Sequence, residues 1–195
     1  MGVPMRVTGG DAARLLLSVP RGPDIRPTQD RVRESLFAML APRLPGARVL
    51  DLYAGTGALA IEALSRGATS ATLVDNNRDC LASIRKNLEH THFAQCARVV
   101  PRDAIEFLRA CRETYDLILA DPPYQKSPSG GAPHGALIAA AAPRLSDDGL
   151  FVLEFFAPRP PRAPAPLALA RERRYGNTGI WLLVKTVPAS TTDGI

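Results

Sequence analysis

Short apolar runs alternate along the chain with segments whose apolar residues recur every three or four positions. The runs are typical of buried strands, and the periodic segments are typical of helices with one buried face. The pattern therefore predicts alternating strands and helices, and then a terminal antiparallel pair. The predicted strands are 48–53, 71–74, 97–100, 115–120, 150–154, 167–173 and 180–184, and the predicted helices are 28–40, 59–66, 78–89, 104–111 and 135–145.

Glycine and proline set the boundaries of this pattern. Residues 1–25 predict an arm or a small hairpin, residues 26–187 the main domain, and residues 188–195 a disordered tail. Three residues, Asp147-Asp148-Gly149, predict a turn before the fifth strand.

The first helix is expected to follow Arg26-Pro27-Thr28, with Thr28 as its N-cap. Arg31 and Arg33 fall off its apolar stripe. They form either a solvated helix face or, together with Arg26 and Thr28, the rim of a site for phosphate or cofactor.

The tetrad Asp121-Pro122-Pro123-Tyr124 follows the apolar run 115–120. Neither proline can donate to a sheet ladder, so the tetrad ends the strand at its carboxyl edge. Open α/β sheets bind ligands at that edge. An exocyclic amine of a base can donate there to the Asp121 carboxylate and the Pro122 carbonyl while the ring stacks on Tyr124. A turn that merely ends a strand is the alternative.

The polar stretch 125–135, which follows the tetrad, predicts either a lid or a surface loop.

A glycine turn, Ala54-Gly55-Thr56-Gly57-Ala58, separates the first strand from the next helix. Strand, glycine turn and helix begin the nucleotide-binding half of a doubly wound sheet. With Ala60 the spacing also matches Gly-x-Gly-x-x-Ala, so an NAD-dependent dehydrogenase is a competing hypothesis. That hypothesis leaves the Asp-Pro-Pro-Tyr tetrad unexplained.

Two further carboxylates follow predicted strands. Asp75 ends the second strand, where a carboxylate can accept hydrogen bonds from both hydroxyls of a ribose. Asp103 follows the third strand and is placed to cap the next helix, to contact an adenine amino group, or both.

Composition bounds the class of protein. The 195 residues are 46% hydrophobic and 22% charged, which predicts one globular domain. No apolar run reaches the length of a bilayer span, and the three cysteines form no Cys-x-x-Cys pair, so we expect a cytoplasmic protein without a membrane segment. Histidine and cysteine spacing predicts no metal site.

Positive charge is concentrated at the two ends of the chain. Residues 1–48 carry 8 basic and 4 acidic side chains, residues 49–157 carry 10 and 13, and residues 158–195 carry 6 and 2. The basic ends either dock a polyanion or serve only solubility.

Taken together, these motifs resemble class I S-adenosylmethionine-dependent methyltransferases, and the tetrad resembles that of enzymes acting on an exocyclic amine of a base. The segments 26–37 and 51–68 look like the RsmD family, whose members methylate the N2 amine of a guanine in bacterial 16S ribosomal RNA. The resemblance covers about residues 5–185. It implies a Rossmann-like fold with helices flanking a mostly parallel seven-stranded sheet, whose last strand is antiparallel.

The resemblance also implies S-adenosylmethionine as cofactor, and a monomer acting on 16S ribosomal RNA or a small-subunit assembly intermediate. It assigns cofactor binding to Asp51, Tyr53, Gly55, Gly57, Asp75, Asn76, Asp103 and Ala104. It assigns catalysis to Asp121, Pro122 and Tyr124. For substrate binding we select the residues of the first helix and the rest of the tetrad: Arg26, Thr28, Arg31, Arg33, Pro123 and Tyr124. Two more hypotheses stay open: an amino-methyltransferase acting on adenine N6 or on a protein amide, and a non-catalytic RNA-binding protein.

Overall fold

The structure is a computed structural model that describes residues 5–19, 30–123, 134–161 and 165–186. Strands and helices alternate along the chain as the sequence pattern predicts. The helices are α1 (Asp30–Leu40), α2 (Ala58–Ser65), α3 (Arg78–His90), α4 (Ala104–Ala110) and α5 (His134–Ala141). The strands are β1 (Arg48–Leu52), β2 (Ser70–Asp75), β3 (Ala97–Pro101), β4 (Tyr115–Ala120), β5 (Leu145–Phe156), β6 (Leu167–Tyr175) and β7 (Thr178–Lys185).

All seven strands form one sheet in the order β3-β2-β1-β4-β5-β7-β6. Strands β1 to β5 pair in parallel, while β7 is antiparallel to both of its neighbours. The predicted fold class is therefore confirmed, including the antiparallel last strand. The direction in which the chain adds strands reverses between β1 and β4, and open α/β sheets place their ligand crevice outside such a switch point.

Each face of the sheet is covered by a separate hydrophobic cluster. On the α1–α3 face, apolar residues of α1, α2, α3 and the N-terminal segment pack together with Leu117 and Leu119 of β4. On the α4–α5 face, Ile118 and Ala120 pack with residues of α4 and α5. Adjacent residues of β4 thus point to opposite faces, so both faces of this central strand are buried.

Two predicted boundaries in the second half of the domain are wrong by four residues or more. The turn predicted at 147–149 lies inside β5, because Leu145 is already buried and in register with Tyr115 of β4. The pairing of β4 with β5 is irregular just after Tyr115, and this irregularity accommodates the exposed Asp147 and Asp148 of β5. Helix α5 ends at Ala141 rather than at Leu145, because Pro143 cannot supply the N–H that a further turn requires.

The N-terminal segment 5–19 folds back on itself as a small antiparallel arm. Val7 donates its N–H to the Leu15 carbonyl at 3.0 Å, and Leu17 donates to the Met5 carbonyl at 2.9 Å. Val7 is 1% exposed and belongs to the cluster on the α1–α3 face. The arm is thereby part of the same core as the helices beneath it.

A buried ion cluster joins this arm to α1 and α2. The Glu62 carboxylate of α2 is fully buried and accepts hydrogen bonds from the Thr8 N–H and hydroxyl, each at 2.7 Å. It also forms salt bridges to Arg66 at 2.7 Å and to Arg33 at 3.5 Å. Arg33 in turn donates to the Arg6 carbonyl and to Asp30, the latter at 3.0 Å.

The expectation that Arg33 lies on a solvent-facing rim is therefore wrong, because its side chain is 1% exposed and held by Glu62. Arg31, two residues earlier, is exposed as expected. Arg26 and Thr28, with the predicted N-cap, lie outside the described residues. Among the described helices, the longest has 13 residues, and none has the length and apolar character needed to cross a bilayer.

Candidate active site

The carboxyl ends of four parallel strands meet at one edge of the sheet. Leu52 of β1 is in register with Val74 of β2 and with Ala120 of β4, and Asp75 is in register with Pro101 of β3. The residues that follow these strands therefore surround one crevice, as the sequence predicts for ligand-binding side chains.

A cavity of about 300 Å³ opens at this edge between β1, β2, β3 and β4. Its size suits part of a small-molecule ligand. The residues that line it are Tyr53, Val74, Asp75, Asn76, Arg102, Asp103, Ala104, Ile105, Pro122 and Pro123.

Most of the predicted cofactor residues line this cavity together with both prolines of the tetrad. Three predicted residues do not line it: Asp51, Gly55 and Gly57. Asp121 is not among the lining residues either, but it directly precedes Pro122, which is. The tetrad's last residue, Tyr124, and the loop 125–133 lie outside the described residues.

The glycine turn has two left-handed glycines with different environments. At Gly57, φ is +78°, and a side chain there would come within 3.0 Å of the Leu73 side chain in the core. Gly57 thus lets α2 pack closely on β2. At Gly55, φ is +57°, and a Cβ would meet only the Tyr53 carbonyl, at 3.8 Å. Gly55 therefore leaves open space where the backbone can approach a ligand.

Asp75 anchors this turn through its carboxylate. One oxygen accepts the Gly55 N–H and the other accepts the Asn77 N–H, each at 2.8 Å. A carboxylate has about four lone-pair sites, so each oxygen can accept a further hydrogen bond from a ligand. Asp75 is half-buried and faces the cavity, as its predicted contact with ribose hydroxyls requires.

Asp51 lies beneath the turn, with its carboxylate 1% exposed. It accepts a hydrogen bond from the Ala60 N–H of α2 at 3.0 Å. Burial raises the pKa of Asp51 to about 8; the Ala60 hydrogen bond opposes this shift, and the nearby Asp75 charge adds to it. Asp51 thereby supports the start of α2, and a direct contact with the cofactor stays a prediction.

Asp103 caps α4, as the sequence predicts. Its Oδ1 accepts the N–H groups of Ile105 at 2.9 Å and Glu106 at 3.1 Å. Within the part of the chain that the structure describes, Oδ2 accepts no hydrogen bond and can serve a ligand in the cavity. Burial and the nearby Asp103 charge raise the pKa of Tyr53, whose side chain therefore stays a neutral hydrogen-bonding group.

Tyr53 itself adopts φ +58°, an uncommon conformation for a residue with a side chain. This conformation occurs where β1 passes into the glycine turn. Strained residues of this kind cluster at functional sites. The turn therefore holds its aromatic ring against the cavity at a cost in backbone energy.

Asp121 is half-buried at the end of β4, and Pro122 is buried. Asp121 directly follows Leu119 and Ala120, which point to the α1–α3 face and the α4–α5 face respectively. Asp121 thus directly precedes Pro122, which lines the cavity. The Pro122 carbonyl is followed by Pro123, which has no N–H group.

The sequence-based assignment missed three cavity residues, Val74, Arg102 and Ile105. Each lies within two residues of an assigned aspartate, Val74 before Asp75 and the other two around Asp103. Val74 and Ile105 give the cavity the apolar walls that a planar ring requires. Proximity to the end of a strand was the signal that could have identified them.

A family model described as Conserved hypothetical protein 95 matches residues 5–184. The chain is similar to "Ribosomal RNA small subunit methyltransferase D" of Escherichia coli strain K12, with 43% identity over 122 residues. That match covers 63% of this chain and 61% of the relative. It is also similar to "Putative rRNA methyltransferase YlbH" of Bacillus subtilis strain 168, with 34% identity over 93% of this chain and 99% of the relative.

A solved structure, "Putative methyltransferase yhhF from Escherichia coli", superposes with a TM-score of 0.79 at 35% identity. It covers 95% of this chain and 100% of the other. The similarity therefore extends over the whole sheet and over the crevice at its carboxyl edge.

Proposed function

We propose that this chain methylates ribosomal RNA with S-adenosylmethionine, since it belongs to the Conserved hypothetical protein 95 family, which is the RsmD family. The resemblance found in the sequence is thus confirmed at the level of the family. The acceptor that we propose is the exocyclic N2 amine of a guanine in bacterial 16S ribosomal RNA. The relatives' names favour methyl transfer over hydride transfer.

One observation supports this proposal above the others. The cavity lined by Asp75 and Asp103 is also lined by Pro122, the second residue of the tetrad. A cofactor held by the two aspartates would therefore end next to the groups that bind an amine. That arrangement is what direct transfer between two bound molecules requires.

The residues present fit the proposed cofactor. Asp75 has acceptor capacity left for ribose hydroxyls, and the free oxygen of Asp103 can accept from an adenine amino group. Val74 and Ile105 supply apolar contacts for the ring. When bound, S-adenosylmethionine supplies a methyl group made electrophilic by the adjoining sulfonium.

The tetrad orients the acceptor. An exocyclic amine is a weak nucleophile because its lone pair is delocalised into the ring. The Asp121 carboxylate and the Pro122 carbonyl accept its two N–H groups and so aim the lone pair along one direction. Positioning of this kind contributes roughly 7–11 kcal/mol to lowering a barrier.

The same two acceptors favour the positive charge that develops on the nitrogen during transfer. A carboxylate oxygen of Asp121 then takes the proton that the nitrogen releases, or solvent does. The base must leave its stack to reach this pocket. Tyr124, which lies outside the described residues, is expected to stack against it.

We further propose that the protein acts as a cytoplasmic monomer on the RNA, either free or within a small-subunit assembly intermediate. Tritium transfer from S-adenosylmethionine to small subunits, free 16S RNA and DNA tests the substrate class. Transfer to DNA alone, or to none of the three, would contradict the proposal.

The role of Asp121 is tested with Asp121→Asn, which keeps the shape of the side chain but removes its charge. We expect transfer to fall by at least about 100-fold, in line with the loss of a transition-state charge partner, while calorimetry shows unchanged cofactor affinity. Asp75→Ala should show the opposite pattern: its main effect should be a loss of affinity for S-adenosylmethionine in calorimetry. Asp148→Asn, at an exposed position of β5, serves as the control. Full activity of Asp121→Asn would refute the assigned role.

A further inference from the structure

Strand β6 forms one edge of the sheet and carries Arg-Glu-Arg-Arg at positions 171–174. Arg171 is in register with Leu182 of β7, and Arg173 with Ile180. Both partners belong to the cluster on the α1–α3 face, and directly paired residues of antiparallel strands point to the same face. Arg171 and Arg173 therefore lie on the α1–α3 face of this edge.

Helix α1 brings a third arginine to the same surface. The Ser35 hydroxyl of α1 is 2.6 Å from the Tyr175 hydroxyl at the end of β6. Arg31 lies four residues before Ser35, hence on the same side of the helix, and it is exposed. Tyr175 lies two residues after Arg173, hence on the same face of the strand.

These three arginines have no acidic partner among the residues that the structure describes. Within the described ranges, Arg31, Arg171 and Arg173 form no salt bridge, although Arg173 donates to the Glu172 carbonyl at 3.0 Å. On the other face of β6, Arg174 pairs with the Glu172 carboxylate at 2.6 Å. All three side chains are exposed, so their guanidinium groups are open to a partner.

The sheet register places this surface level with the proposed acceptor site. Ala120 of β4 pairs with Leu153, Leu153 with Trp181, and Trp181 with Glu172. Asp121 and Arg173 are each one residue beyond that row, toward the carboxyl edge. Three strand spacings of about 4.8 Å separate them, or roughly 14 Å. That distance corresponds to roughly four base steps of a nucleic acid at about 3.4 Å each.

We propose that Arg31, Arg171 and Arg173 form a phosphate-binding rim that holds the RNA backbone beside the target nucleotide. The inference rests on the proposed function and extends it to the surface that the RNA contacts. Guanidinium groups bind phosphate through paired hydrogen bonds, so exposed arginines without acidic partners suit a polyanion. Arg173 is level with the Asp121 position along the sheet and roughly 14 Å from it, so one strand of RNA can contact both.

The experiment compares the double variant Arg171→Ala/Arg173→Ala with wild type. The control is Arg109→Ala/Arg112→Ala, which removes two exposed arginines at the end of α4. RNA affinity is measured between 50 and 200 mM salt, and each lost phosphate contact lowers the slope of log K against log salt by about 0.7–0.9. We expect the slope of the rim variant to fall by about 1.5 and that of the control to stay unchanged.

Steady-state methyl transfer supplies the second readout. The rim variant should show a raised KM for RNA, an unchanged kcat at saturating RNA and an unchanged affinity for S-adenosylmethionine. An RNA affinity and a salt slope equal to wild type would overturn the inference. So would a variant that binds RNA normally but no longer binds small-subunit proteins, because the surface would then serve a protein partner. If wild type transfers no methyl group to RNA, the proposed function fails, and the salt slope still tests the rim.

Discussion

The buried carboxyl of Asp51 should make the stability of this protein fall as the pH rises. The side chain is 1% exposed and accepts one hydrogen bond, from the Ala60 N–H at 3.0 Å. Its pKa is raised from 3.8 to about 8, first because burial disfavours the charged form. In the unfolded chain the carboxyl is in water and ionises near its ordinary pKa.

The sign of the effect follows from proton binding. Between about pH 4 and pH 8 the folded protein holds a proton on Asp51 that the unfolded chain has lost. The folded state therefore binds more protons, and the free energy of unfolding decreases with pH across this window. The contribution of Asp51 to the free energy of unfolding is fully present below about pH 4 and is lost as the pH approaches about 8.

The magnitude is set by the slope of this dependence. One proton corresponds to about 1.36 kcal/mol per pH unit, so about 4 kcal/mol is lost between pH 5 and pH 8. Asp51→Asn replaces the carboxyl with a neutral amide of similar shape, which keeps an oxygen for the Ala60 N–H. The variant should therefore gain about 4 kcal/mol relative to wild type over the same interval.

Urea unfolding of both proteins at pH 5, 6.5 and 8 measures this difference. The exposed variant Asp148→Asn controls for the general effect of removing an acid. A difference between wild type and Asp51→Asn that is the same at all three pH values would refute the reasoning, since it would show that Asp51 titrates alike in both states.

Two further substitutions test other parts of the structure by urea unfolding. Glu62→Ala should cost about 3–5 kcal/mol, because it removes the carboxylate at the centre of the buried ion cluster. Arg33 then keeps only Asp30 as a charge partner, and Arg66 loses its salt bridge. The exposed Glu89→Ala is the control, and an equal cost would contradict the buried cluster. Gly57→Ala should cost about 1–2 kcal/mol for its φ of +78°, and more for the crowded Cβ. Gly46→Ala has the same φ with nothing within 4 Å, so equal costs at the two glycines would contradict the packing argument.

Much of the site could be predicted from local sequence. Prolines end a strand wherever they occur, so the position of Asp121 and Pro122 at a strand end followed from the tetrad itself. Asp75 and Asp103 follow apolar runs, and the parallel sheet brings such ends together at one edge. The cap at Asp103 also follows from local chemistry, since an aspartate before a helix accepts its first N–H groups.

The surroundings of the charged side chains depend on contacts between distant segments, which local patterns do not predict. Arg33 falls off the apolar stripe of α1, and a periodicity argument treats such a residue as exposed. It is buried where two carboxylates pair with it: Asp30 of its own helix and Glu62 of α2, which lies 29 residues further along the chain. Asp51 is buried for a similar reason, because α2 packs over the end of β1 and its Ala60 N–H donates to the carboxylate.

Local sequence thus accounts for the carboxyl ends of the parallel strands, the order of the strands and helices along the chain, the glycine turn and the family. These depend on backbone constraints and side-chain periods within a few residues. The burial of particular arginines, the edge position of β6 and the alignment of Arg173 with Asp121 all follow from the folded arrangement instead. Burial and electrostatic pairing depend on segments far apart in the chain, and folding alone brings those segments into contact.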